Sequence, residues 1–195
     1  MRKFLNGVLC LMVFVSVAQA QEDSGKQRQE PTVEPASASD TVRVSVHSAP
    51  GKNQFRLDVF VVNSEPVAGM PTPVRVSSEK AKMQFDSVSY VDGRVEYFQL
   101  KTHNADTASQ TLLIGLIADL SGSKPPLKPG RGKALSVFYT ADAAVKADDV
   151  NVEPVVLPPA NKMEFNTIMA DGQIGSTIPT FVQATGKPAE EAAEE

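Results

Sequence analysis

The chain has 195 residues, 19 Lys plus Arg against 23 Asp plus Glu, and a formal charge of −4 at neutral pH. That balance argues against nucleic acid as a partner, and a single cysteine excludes a disulfide framework. The length allows one sizeable core, since a domain of about 150 residues buries roughly 68 to 70% of the surface its unfolded chain exposes.

In chain order, Arg2 and Lys3 precede an apolar stretch over residues 8–17, and Ala18-Gln19-Ala20 has the small-x-small form that signal peptidase cleaves. Residues 1–20 therefore read as a signal peptide, with the exported protein starting near Gln21 and destined for the periplasm or the medium. Cys10 lies inside the apolar stretch, preceded by Gly7, Val8 and Leu9, a poor match to a lipoprotein site, and is removed with it. Losing Arg2 and Lys3 from the 19 basic residues leaves 17 against 23 acidic ones, a charge of −6. Residues 21–40 (QEDSGKQRQEPTVEPASASD) hold almost no large apolar side chain and read as a disordered linker. Residues 186–195 (KPAEEAAEE and its flank) read as an acidic disordered tail.

Between them, over residues 41–185, the pattern is of period two. Val42, Val44 and Val46 alternate with Arg43 and Ser45, and Phe55, Leu57, Val59 and Val61 alternate with Arg56 and Asp58. Further strands are expected at 70–77, 83–91, 95–102, 111–118, 133–140, 149–156, 163–169 and 178–184. The apolar parity flips between Phe85 and Val88, which predicts a bulge. Asp92-Gly93 and Asp171-Gly172 are tight-turn signals. Leu112, Leu113, Ile114, Leu116 and Ile117 form a nearly continuous apolar run, too short to span a membrane, that reads as a central strand. No stretch of twelve residues carries a helical stripe, so the fold class is an all-β sandwich. Pro71 and Pro73 share one parity and lack donors, so their strand is expected to lie at an edge or to border a gap in its sheet.

Little in the chain carries chemistry. Gly130, Gly132 and Lys133 miss the phosphate-loop spacing, since Leu127 and Ala134 stand where the first Gly and the Ser or Thr belong. His47 and His103 have no second His or thiolate at ligand spacing, although Asp106 lies three residues on, and they read as surface loop histidines. Asp148-Asp149 and Asp106 near Asn104 lack the spaced oxygens and central Gly of a calcium loop. No Ser stands in a nucleophile elbow. No catalytic residue, metal or cofactor is assigned. Tyr90, Tyr97, Phe98 and Tyr139 are the aromatic residues considered for a sugar platform, with Tyr90 and Tyr97 the candidates for carbohydrate binding.

The residues in order resemble a known family. Asn63 before a short loop, Ala68-Gly69, Ile117-Ala118-Asp119-Leu120-Ser121-Gly122 at the end of an apolar strand, and Gly130-Arg131-Gly132 leading into another strand are similar to bacterial cohesin domains over residues 41–184. The resemblance implies a jelly-roll sandwich of about nine strands, related in fold to carbohydrate-binding modules, that recognises a dockerin protein through one sheet face. It implies contacts at Asp119, Ser121 and Gly122, which match a segment bordering the family interface, and at the outward positions Gly69, Pro71 and Pro73. A carbohydrate-binding module and a structural envelope domain are the alternative readings.

Overall fold

The computed structural model describes residues 39–48, 52–121, 123–169 and 171–184. The expected signal peptide, the linker up to residue 38 and the acidic tail lie outside the described residues. Asp40 anchors the start of the domain: its Oδ1 accepts from Ser64 N and Oγ and its Oδ2 from Thr177 Oγ1, each at 2.8 Å.

Eleven strands follow: β1 (Thr41–Ser48), β2 (Gln54–Asn63), β3 (Val67–Ser77), β4 (Met83–Ser89), β5 (Leu100–Asp106), β6 (Thr111–Ile117), β7 (Gly130–Ala141), β8 (Asn151–Pro154), β9 (Phe165–Ile168), β10 (Ile174–Thr177) and β11 (Thr180–Ala184). The first sheet has the order β11-β1-β2-β7-β4, and the second β10-β9-β3-β6-β5 with β8 also paired to β3. The chain is an all-β sandwich. Among the described residues the one helical element is a 3-10 turn, Ala147–Asp149. None is long and apolar enough to cross a membrane.

The period-two pattern produces the core directly. Val42 and Val44, then Phe55, Leu57, Val59 and Val61, then Leu135, Val137 and Tyr139 line the inner side of the first sheet. Met70, Val74, Val76, Leu112, Ile114 and Leu116 face them from the second, all nearly inaccessible to water. Each fully buried side chain of this size contributes about 1.5 to 3 kcal/mol relative to exposure. The parity flip in β4 is a bulge, with the register against β7 shifting between Phe85 and Ser87.

Three expectations need correction. The strand expected at 95–102 begins only at Leu100 and runs on to Asp106, because residues 90–98 coil into turns that bury Val95 and Phe98. Asp92-Gly93 does turn, with Asp92 at φ +56° and Gly93 N donating to Tyr90 O, but it closes no hairpin: β4 belongs to the first sheet and β5 to the second. The strand count exceeds nine, since the C-terminal third breaks into four short strands, with Gly172 at φ +81° turning β9 back into β10. The expectation for Pro71 and Pro73 is met in its second form, a strand bordering a gap: β6 pairs along one side of β3, while on the other β9 reaches Val67 and Gly69 and β8 reaches residues 74–77. Pro73 O accepts from Val155 N at 3.2 Å on that second side. A strand residue's N and O point the same way, so the missing donors of Pro71 and Pro73 face the interval between β9 and β8, where no ladder bond is lost.

The turn that carries the chain between sheets is fastened by Arg94. Its Nη1 donates to Val61 O (3.1 Å), Asn63 Oδ1 (2.9 Å) and Gly130 O (3.0 Å), and its Nη2 to Lys128 O (2.7 Å). Asn63, itself buried, donates to Glu65 O and Lys128 O. Gly132, at φ +152°, leaves room for this side chain: a Cβ there would stand 2.9 Å from Arg94 Cδ. A Cβ on Gly93 would stand 2.0 Å from Ala134 O, so the turn can approach β7 only with glycine there.

Two outcomes test this fold. Ile114→Asp places an unpaired charge at a site 1% exposed and should cost about 4 kcal/mol or more in urea unfolding. Arg94→Leu should cost about 2 to 3 kcal/mol by stranding carbonyls, with Arg94→Lys intermediate because one ammonium cannot span four acceptors.

Candidate functional site

Strand alternation assigns the outer face of the second sheet. Register places Ser176, Asn166, Gly69, Ile117 and Leu100 in one row across β10, β9, β3, β6 and β5. Pro71, Gly115 and Thr102 form the next row, then Pro73, Leu113 and Asn104. The face closes on Arg75, Thr111 and Asp106, with Arg75 Nη1 bonded to Glu153 Oε1 at 2.8 Å. Its centre is flat and apolar. Gly69 and Gly115 add no side chain, the prolines add rings, and Leu100, Leu113 and Ile117 are only half-buried although they point away from the core. At the β10 end Ile174 is 76% exposed beside Ile168.

The expected contact residues fall on this face or at its rim. Gly69 and Pro73 are buried and Pro71 half-buried, so they shape the surface rather than project from it. The chain leaves β6 at the rim after Ile117, and there Asp119 holds Ser121 and Lys124: Oδ1 accepts from Ser121 N and Ser121 Oγ, each at 2.8 Å, while Oδ2 accepts from Lys124 N. These bonds, led by the Ser121 amide, hold the Asp119 carboxyl well below the usual carboxylate range. Asp119 is therefore a turn former whose oxygens are engaged within its own loop. Gly122 lies outside the described residues.

Tyr97 joins the same rim. Lys124 Nζ donates to Tyr97 O at 2.7 Å, and Leu120 N donates to Gln99 Oε1 at 2.9 Å, next to the Leu100–Ile117 pair. Leu120, 66% exposed, and Tyr97 thus extend the apolar face past its edge. Tyr97 packs edge-on against Phe98, and Lys101 Nζ lies 5.4 Å from the centre of the Tyr90 ring, over its face. Phe98 and Tyr139 are in the core.

Both histidines lie on strands, a correction to the loop reading. His103 on β5 stacks on Phe85 at 5.2 Å, and His47 on β1 has Nε2 3.2 Å from Asp58 Oδ2. Ser136 Oγ donates to Asp58 Oδ1 at 2.7 Å, so aspartate stands between serine and histidine. A nucleophilic triad needs histidine in the middle, where it can take the serine proton. This arrangement cannot activate Ser136.

No family model and no curated protein matches the sequence. Solved structures do match. The seventh type I cohesin of ScaB from Pseudobacteroides cellulosolvens aligns with a TM-score of 0.53 and 12% identity over 80% of this chain and 98% of that one. The chain has a cohesin-like fold. A type I cohesin–dockerin complex from Clostridium thermocellum aligns at TM-score 0.55 and 10% identity, covering 74% of this chain and 95% of that one. The sixth cohesin of scaffoldin B from Acetivibrio cellulolyticus, solved with a Cel5 dockerin, aligns at 0.54 and 8% with the same coverage. At these identities the likeness concerns the fold, and in this cohesin-like chain the motif residues Asn63, Gly130 and Gly132 turn out to be the surroundings of Arg94.

The Asp119 turn makes a pH prediction. A carboxyl depressed in the folded state stabilises its loop above the unfolded value near 3.9 and loses that contribution as pH falls through the folded one. The Ser121 and Lys124 amide resonances should accordingly hold their positions through pH 4 and move only in stronger acid. In Asp119→Ala they should collapse toward random-coil shifts at neutral pH.

Proposed function

We propose that this chain is an exported, non-catalytic recognition module whose β10-β9-β3-β6-β5 face receives a protein partner of the dockerin kind, within an extracellular or envelope-associated assembly. The observation that carries the reading is the flat apolar face itself. Leu100, Leu113 and Ile117 remain half-exposed around side-chain-free Gly69 and Gly115, and a rigid turn built on Asp119 borders them. Contiguous exposed apolar surface rimmed by polar groups suits association with another protein. Cohesins of similar fold have been solved in complex with dockerins, which supports the choice of partner class. The leader-like residues 1–20 support the export part of this reading.

On this reading the face contributes shape and apolar area at Pro71, Leu113 and Ile117, and directed polar contacts at the rim through Ser121 and the exposed turn. The expected outcome is that Leu113→Arg and Ile117→Arg weaken capture of dockerin domains by the immobilised full chain at least tenfold, while the melting temperature changes by only a few degrees. Gly122→Arg should weaken it too. Capture that survives all three substitutions would move the binding face elsewhere on the sandwich. Asp119→Ala should also reduce capture, through loss of the ordered turn.

A further inference from the structure

The outer face of the first sheet has the opposite chemistry from the face just described. Register places Val182, Arg43, Phe60 and Lys133 in one row across β11, β1, β2 and β7. Ala184, Ser45, Asp58, Ser136 and Ser89 form the next, and His47, Arg56, Phe138 and Ser87 the one after. Arg131 follows Lys133 at the far end, beside Val62. An acidic chain has thus gathered three arginines, a lysine and a histidine on one sheet face, together with two phenylalanine rings that point away from the core. The one carboxylate in the middle rows, Asp58, is committed.

Asp58 is what makes this face a built site. Its side chain is 10% exposed although it points outward, and it accepts from Ser136 Oγ at 2.7 Å, Arg56 Nη2 at 2.9 Å and Arg56 Nε at 3.1 Å, with His47 Nε2 at 3.2 Å. A carboxylate this deep must be paired and hydrogen-bonded to persist. Here the pairing fixes two nitrogen-bearing side chains on neighbouring strands. Arg56 spends one edge of its guanidinium on Asp58 and keeps Nη1 for a ligand, on a side chain half exposed to solvent. Beside it a cleft of about 470 Å³ opens among His47, Gln54, Arg56, Asp86, Ser87 and Phe138, within the range of about 300 to 1,000 Å³ that small-molecule sites occupy.

We infer that this cleft binds a carboxylated sugar, a uronic acid unit of an acidic polysaccharide. The chemistry of the lining selects that class. A planar guanidinium edge with a free Nη1 matches a carboxylate, and the outward Phe138 ring offers an apolar plane for the face of a pyranose. Gln54 and Ser87 supply the neutral donors and acceptors that ring hydroxyls need. Asp86, two strands from Arg56 at the β4 bulge, is held by Thr140 Oγ1 at 2.8 Å and leaves its other oxygen to accept from a hydroxyl. Along the same face Arg43, which lies over Phe60 at 5.0 Å, Lys133 and Arg131 continue the positive charge for further units of a polyanion. A nucleic acid or acidic peptide would use the cations alone. The cleft adds a ring-sized apolar floor with hydroxyl partners.

The test is affinity electrophoresis of the full chain through polygalacturonate and through the same polymer fully methyl-esterified, which keeps the sugar ring and removes the charge. Retardation is expected in the acid form only. Arg56→Gln and Phe138→Leu should each weaken it at least tenfold, and Lys162→Gln, which removes a cation paired with Glu164 away from this face, should leave it unchanged. Because Phe138→Leu could disturb the sheet, backbone amide shifts of the unmodified protein titrated with trigalacturonate provide a second reading, with the largest changes expected at Arg56, Ser87 and Phe138. The inference is overturned by no retardation, by equal retardation in the esterified polymer, or by shift changes that avoid the cleft. It is equally overturned if polyglutamate binds as well as polygalacturonate and Phe138→Leu has no effect, which would make the face a general anion surface. None of these results bears on partner capture by the second sheet.

Discussion

A guanidinium with four oxygen partners and no carboxylate holds the two sheets in their relation to each other. Arg94 sits in the crossing between β4 and β5 and donates to the end of β2, to Asn63, to the start of β7 and to the loop before it. Val61 O and Gly130 O lie part-buried where two strands of the first sheet stop pairing, and without the guanidinium each would lose a donor there. Arginine suits the place because its donors fan out in a plane, whereas lysine would offer one point of charge. Burial lowers the Arg94 pKa from its ordinary value, the expected direction for a cation stabilised by dipoles alone. The second sheet inherits its position from this contact, since β5 begins directly after the fastened turn.

With the crossing fixed, the sandwich presents two faces that share a core and little else. On the second sheet, glycine and proline in β3 and glycine in β6 remove side-chain relief and leave apolar residues in a plane. On the first, β2 and β7 place charge and aromatic rings between buried hydroxyls, and the cost of sinking Asp58 is offset by three side-chain partners. The contrast between two aspartates shows how environment decides role. Asp119, at the surface, shapes its loop through bonds to the Ser121 and Lys124 amides, while Asp58, almost shut off from solvent, orients side chains on adjacent strands.

Much of the fold was legible because period-two alternation is a strong local signal. The alternation in β1 and β2, the apolar run of β6 and the parity flip at Phe85 each correspond to a feature of the structure. The failures share one cause, long-range partners that no window contains. Residues 95–99 have strand composition yet coil, because Arg94 is bound to residues up to 36 positions away. The prolines of β3, read as marking an edge or a gap, do face the gap between β8 and β9, but which of the two it would be depended on partners far along the chain. In the site, Asp119 and Ser121 were legible as a turn, but their enclosure by Lys124 was not. Tyr90 and Tyr97 attracted notice as aromatic residues, whereas Phe60 and Phe138 were passed over. A signal for Phe60 did exist: it falls between Val59 and Val61, off the buried parity, so a large apolar ring was already assigned to the solvent side.

The separation of the faces has a physical consequence for how the molecule could be used. Two sheets packed face to face stand about 10 Å apart, with interior side chains interlocked at close to crystalline density. Substitutions on opposite outer faces then lie beyond the 7 to 10 Å within which energetic effects usually couple. Binding on one face should therefore leave the other's affinity unaltered, and occupancy of both is limited only by the size of the ligands. The exception lies at the crossing. Arg94 touches the β2 and β7 ends of the first sheet while its own turn leads into β5 and, through Gln99 and Lys124, into the rim around Asp119. The Arg94 guanidinium is thus one physical link between the faces, beside the bond from Arg94 N to Lys133 O in the same turn and the Gln183 side chain of β11, which accepts from Val152 N of β8 and donates to Val150 O.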